Sequence, residues 1–185
     1  MIDNFKSKIS VRLGLIAFIA TGGGLIISTI MNEESFYKIE ILVVFGIFFT
    51  LSLLSYYQKM KHKQSKIIFT KKSFYVLLCT LISGSFTWFL NHKMGYSAVI
   101  SNGLVGVMAA TLLPNDLAGI AYTSSFLGMS SLAIIPSLPV AALGSLIVGL
   151  VIVTTAPIYA GMGGKGGTTA ALSTQITRII LKIFS

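Results

Sequence analysis

The chain has 185 residues, of which 54% are hydrophobic and only 10% charged, with a mean hydropathy of +0.86; soluble domains carry about 25% charged residues. This balance argues against a soluble domain and predicts an all-α, polytopic integral membrane protein with six or seven transmembrane helices of about 20 residues. The formal net charge of +9 reads as membrane orientation and not as nucleic-acid binding, because the cations gather at particular helix ends.

The first predicted span covers residues 13–30, behind Lys6, Lys8 and Arg12. It is long for a secretory leader and lacks a small-x-small cleavage site, so it reads as a retained helix. Gly22-Gly23-Gly24 in its middle predicts a close helix–helix contact, with a kink facing a solute path as the alternative. An acidic loop with Glu33, Glu34 and Glu40 against Lys38 follows, and then a second span over residues 41–57.

Residues 58–72 form a basic loop with Lys59, Lys61, Lys63, Lys66, Lys71 and Lys72. With the N-terminal cations this puts nine basic residues on one side, against Lys38 and Lys93 on the other. The positive-inside rule then places the N-terminus and this loop in the cytoplasm of a multi-pass protein of the cell (plasma or inner) membrane. Anionic lipid headgroups are the expected partner of the Lys59 to Lys72 loop. A third span covers residues 73–90 and closes a three-span N-terminal part, residues 1–94. Phe74, Tyr75, Trp88 and Tyr96 are expected in the aromatic belts at headgroup depth. Cys79 is the only cysteine, which excludes an intrachain disulfide and makes it a packing residue.

The C-terminal part, residues 95–185, completes a single transmembrane domain and contains what reads as a two-copy repeat, about 97–135 and 140–185. Leu104-Val105-Gly106 leads to Pro114 as Ile147-Val148-Gly149 leads to Pro157, eight residues in each case. Gly128-Met129-Ser130-Ser131 aligns with Gly166-Gly167-Thr168-Thr169. A fourth span is expected over 97–113. The segment 117–135 is interrupted by hydroxyl residues and glycine, and Pro136 and Pro139 then force a break before a span over 140–156. Pro114 and Pro157 are expected to close their spans. Residues 158–185 begin glycine-rich and end with Arg178 and Lys182; both this segment and 117–135 either cross the bilayer or re-enter it.

Paired broken helices mark solute sites in transporters. The substrate-binding candidates are therefore Lys165 with Gly163, Gly164, Gly166, Gly167, Thr168 and Thr169 from one copy, and Gly128, Ser130 and Ser131 from the other. Glycine-rich backbone at a helix start presents N–H groups to an anion, and Lys165 adds a positive charge. Asp116 is assigned an ion pair or a helix cap. A P-loop is excluded because Lys165 is followed by Gly166 where that motif requires Ser or Thr. A potassium filter is disfavoured by the lysine within the glycine run. His62 and His92 fall on opposite faces, and no serine has a histidine and an acid beside it, so no enzyme, metal centre or cofactor is expected. The expected function is a small-solute transporter or channel, working as a homo-oligomer or with a membrane partner protein. The alternative is a non-transporting subunit or scaffold, including a substrate-capturing subunit of a larger importer.

Overall fold

The computed structural model describes residues 2–33, 35–60, 69–159 and 163–184. Among them all regular structure is helical: α1 Ile2–Met31, α2 Phe36–Met60, α3 Lys71–His92, α4 Ala98–Leu112, α5 Asn115–Gly128, α6 Leu138–Tyr159 and α7 Lys165–Phe184. Three stretches are long and apolar enough to cross a membrane, namely Arg12–Met31, Lys71–His92 and Leu138–Ala156, and Ala98–Leu112 is a shorter apolar helix. The chain forms two compact units. One contains α1, α2 and the end of α6; the other contains α3, α4, α5, most of α6 and α7.

In the first unit α1 and α2 run antiparallel, since Gly22 meets Phe49 and Gly46 meets Ile26. Only one of the three consecutive glycines makes the contact: a Cβ on Gly22 would lie 2.6 Å from the Phe49 ring, whereas Gly23 and Gly24 face open space. Phe18 stacks on Phe49 at 6.0 Å and meets Tyr159 edge-on at 5.4 Å. Tyr159 in turn donates its hydroxyl to the carbonyl of Gly14 at 2.9 Å. This anchoring explains why α6 does not end at Pro157. A proline in the last turn removes a single helical N–H, and the burial of Ile158 and Tyr159, each 2% exposed, carries the helix two residues further.

In the second unit α5 is the central helix. It runs parallel to α3, as shown by the successive pairs Lys72 with Asp116, Thr80 with Ser124 and Thr87 with Gly128. Helix α4 returns antiparallel, with Asn102 against Ser125 and Gly106 against Tyr122. Helix α6 is also antiparallel to α3, with Ser145 at Gly84 and Gly149 at Thr80. The close approaches need glycine: at Gly84 a Cβ would overlap the Ser145 hydroxyl, and at Gly128 it would lie 2.6 Å from the carbonyl oxygen of Gly84.

Of the interruptions expected in residues 117–135, the hydroxyl run at 122–125 stays within α5, and the helix ends at Gly128. From there to Ser137 the chain runs in turns, and α6 begins at Leu138 with Pro139 in its first turn, where the missing N–H costs nothing. Trp88 faces inward. It is 2% exposed, packs with Ile135 and Ala141, and donates its indole N–H to the carbonyl of Ile135 at 3.0 Å. A buried indole needs an acceptor, and the turn segment supplies it. Phe74, Tyr75 and Tyr96 are exposed.

Candidate functional site

The interior of the second unit mixes hydroxyls and glycines with apolar side chains. Thr80 and Thr87 of α3, Ser124 and Ser125 of α5, Ser145 of α6 and Ser173 and Thr177 of α7 are all at 0% exposure, while Val99, Leu112 and Ile82 stand out at 73%, 73% and 59%. Leu127, Ile135, Ala141 and Val148 are buried among these hydroxyls at 0%. Buried hydroxyls must be hydrogen-bonded, and most bond to the preceding turn of their own helix. Thr87 donates to Ser83 O at 2.8 Å, Ser145 to Ala141 O at 2.6 Å, and Thr177 to Ser173 O at 2.7 Å. Such back-bonding is the usual arrangement for hydroxyls within helices.

Two hydroxyls tie helices together. Ser124 donates to Thr80 O at 2.8 Å, linking α5 to α3. Ser125 donates to Tyr122 O at 2.7 Å and lies against the carboxamide of Asn102 on α4. Ser101 is wholly buried next to Asn102, and its hydroxyl has no hydrogen-bond partner among the described residues. Ser124 and Ser125 belong to the hydroxyl run that marks 117–135 in the sequence, whereas Thr80, Ser101 and Asn102 escaped the motif reading, although a helical spacing was visible. Thr80, Ser83 and Thr87, and again Thr169, Ser173 and Thr177, recur every three or four residues, which places each set on one helix face.

The candidates picked out by sequence fall into two groups, each with its own neighbours. Gly128 sits at the end of α5 against Gly84, Thr87 and Trp88 of α3, a packing position. Ser130 follows it, and its carbonyl receives a hydrogen bond from His92 Nε2 at 2.9 Å; a carbonyl can only accept, so this nitrogen carries the proton. Ser131 is exposed, and its carbonyl accepts from Ile134 N and Ile135 N at 2.9 Å each. Both serines therefore belong to the turn segment held by Trp88 and His92 at the end of α3.

The second group starts α7. Gly163 and Gly164 form the turn before it, with Gly164 at a φ of +73° that favours glycine. Lys165 is the first helical residue and is exposed; Gly166, Gly167 and Thr168 complete the first turn, and Thr169 is buried at 3%. Thr168 N donates to Gly164 O at 3.1 Å, which leaves the earlier N–H groups of the turn without intrahelical partners. The two aligned motifs thus occupy opposite ends of their helices, Gly128 closing α5 and Gly166 opening α7. Gly166 lies beside Thr123, where a Cβ would be 2.9 Å from the threonine hydroxyl. Thr123 is eight residues into α5, or about 12 Å of helix. Helix α7 and its lysine therefore begin part-way along the second unit and not at its end.

That end is marked by Lys72 and Asp116, whose ammonium and carboxylate are 2.5 Å apart. Asp116 stands in the first turn of α5, where its carboxylate also accepts the N–H of Leu117 at 3.1 Å. The Lys72 hydrogen bond, together with its charge, holds the Asp116 carboxyl below the usual carboxylate range. His62 and most of the basic loop, residues 61–68, lie outside the described residues. Among the described residues no group of three His, Cys, Asp or Glu could hold a metal ion. Comparison with protein-family models, curated proteins and solved structures finds no match.

Proposed function

We propose that this protein is a multi-pass integral protein of the cell membrane, with a cytoplasmic N-terminus, and that its second unit carries a small polar solute across the bilayer. One observation carries the reading: α3, α5, α6 and α7 bury hydroxyls and glycines beside a few apolar side chains such as Leu127 and Val148, and leave large apolar side chains such as Ile82, Leu143 and Ile179 exposed. In hydrocarbon, polar side chains gather where they meet each other, and small residues let helices approach closely. The turn segment 129–137 fits the same picture, since irregular backbone at membrane depth is tolerated only when protein groups satisfy it, as Trp88 and His92 do here.

The entry point on this reading is the start of α7. A lysine and a helix N-terminus that begin beside Thr123, inward of the Lys72 and Asp116 end, favour an anionic group on the solute. Solute flux into liposomes containing the purified protein, with Lys165→Ala alongside, tests both parts. Wild-type flux of small organic anions that falls at least tenfold in the variant is the expected result. Equal flux in both would remove Lys165 from the site, and no flux over a broad solute panel would sink the transport reading.

A second reading, a non-transporting membrane subunit, is favoured by the tightness of the seam, where Gly84 and Gly128 leave no room for a methyl group. It is also favoured by an apolar groove of about 420 Å³ between Gly23 and Ile27 of α1 and Val43 and Ile47 of α2. It predicts stable co-purification of a membrane partner and no intrinsic flux.

A further inference from the structure

Helix α7 has three distinct sides. Thr169, Ser173 and Thr177 face the interior. Taking 100° per residue, Arg178 and Lys182 lie about 140° and 180° round the helix from Ser173, and both are exposed. Ile179 and Ile183 flank these cations on one side and stand 58% and 71% exposed. The outward face of the last two turns is thus a pair of cations beside a pair of bare isoleucines.

The charges around it are unbalanced. The second unit contains Lys71, Lys72, Lys93, Lys165, Arg178 and Lys182 against one acid, Asp116, and Lys72 occupies that acid. Among the described residues of the unit no side-chain carboxylate is therefore left to pair with Arg178 or Lys182. Their position also falls outside the orientation rule applied to the basic loop. Thr177 lies beside Gly144, in the second turn of α6, so α7 travels from the level of Thr123 towards the end of the unit where Trp88 and His92 lie. That end is opposite Lys71 and Lys72.

We propose that the α7 face carrying Arg178 and Lys182 binds the phosphate headgroups of anionic phospholipids, with Ile179 and Ile183 seated in the acyl region below them. The inference rests on the membrane reading given above and is independent of any transport activity. Guanidinium and ammonium groups pair with phosphate oxygens. A helix with cations next to a bare apolar strip matches the boundary between headgroups and hydrocarbon, where each basic residue near an anionic surface strengthens association about fivefold.

The test uses the full-length protein in vesicles of phosphatidylcholine with a minority of phosphatidylglycerol, followed by solubilisation and mass-spectrometric counting of retained lipids. Wild-type protein should retain phosphatidylglycerol well above its share of the vesicle. R178Q/K182Q should lose that enrichment by about an order of magnitude, and R178K should keep it. The charge-matched control K38Q/K93Q, outside the basic loop and the start of α7, should also keep it. Unchanged enrichment in R178Q/K182Q, or an equal loss in the control, overturns the proposal. So does displacement of the lipid by millimolar inorganic phosphate, which would make this a site for a free anion. Failure of the wild-type protein to enter the vesicles would instead count against the membrane reading itself, whereas embedded protein without enrichment would count only against this one.

Discussion

Gly84 and Gly128 meet backbone to backbone: a Cβ added to Gly128 would lie 2.6 Å from the Gly84 carbonyl oxygen and 2.7 Å from the backbone nitrogen of Trp88. Helices α3 and α5 are held as close as their main chains allow, and the hydroxyls of Ser124 and Ser145 fill the remaining space around Gly84.

Gly128→Ala should therefore destabilise the second unit. The obstructing atoms are two backbone atoms and the Cβ of Thr87, none of which can swing aside, so overpacking of this kind costs about 1–3 kcal/mol. The measurement is the thermal unfolding midpoint in detergent, followed by the emission of Trp88, the only tryptophan. Gly167→Ala is the control, since nothing lies within 4 Å of a Cβ there, and its midpoint should stay at or slightly above that of the parent.

Trp88→Phe keeps an aromatic six-membered ring but loses the pyrrole ring and the N–H that meets the carbonyl of Ile135. Ile135 is fully buried, so the stranded acceptor should cost about 1–3 kcal/mol. Circular dichroism would register a lower melting midpoint. Proteolysis should cut the segment 129–137 sooner than in the parent, because one of its two ties to α3 is gone. An unchanged midpoint and cleavage rate would mean that the bond does not hold the segment.

In the first unit, Tyr159→Phe removes the hydroxyl that donates to Gly14 O while keeping the edge-on contact with Phe18. A loss of about 0.5–1.5 kcal/mol is expected. Hydrogen exchange should rise at the last turn of α6 and around Gly14. Protection there equal to the parent's would assign the anchoring of this turn to the aromatic packing alone.

The Lys72 and Asp116 pair sets a pH dependence with a definite sign. Because the folded-state value of Asp116 is lowered, its contribution is fully present above the unfolded carboxylate value of about 3.9. It is lost as pH falls from there through the lower folded value. The pair is exposed, so the effect is small, but its direction can be read by following the Asp116 carboxyl by NMR. Lys72→Gln should move that titration upward, towards the ordinary range; a titration that stays put would show that Lys72 does not govern it.

Much of the helical framework could be read from the chain. The runs containing Leu13, Val43, Val76, Leu104 and Val148 are apolar over helical lengths, and Pro114 with Asn115 and Asp116 separates α4 from α5 because proline cannot continue a helix comfortably while its successors favour a first turn. The break at Gly128 was legible in the same way. At the other end of α6 this local logic failed: Pro157 is tolerated because Ile158 and Tyr159 find partners in α1, which are far away in sequence.

The candidate site divides along the same line. Composition and order by themselves determined that the C-terminal half is rich in glycine and hydroxyls, that cations dominate, and that Lys165 opens a glycine-rich turn. Only tertiary structure decided that Gly128 packs against Gly84, that Trp88 faces inward to Ile135, and that Ser130 and Gly166 are held by different neighbours, His92 and Thr123. The physical reason is that hydropathy, helix propensity and proline geometry act within a turn or two of chain. Which face of a helix is buried, and against which partner, depends on contacts between segments tens of residues apart, where a single methyl group or one indole N–H selects among otherwise similar packings.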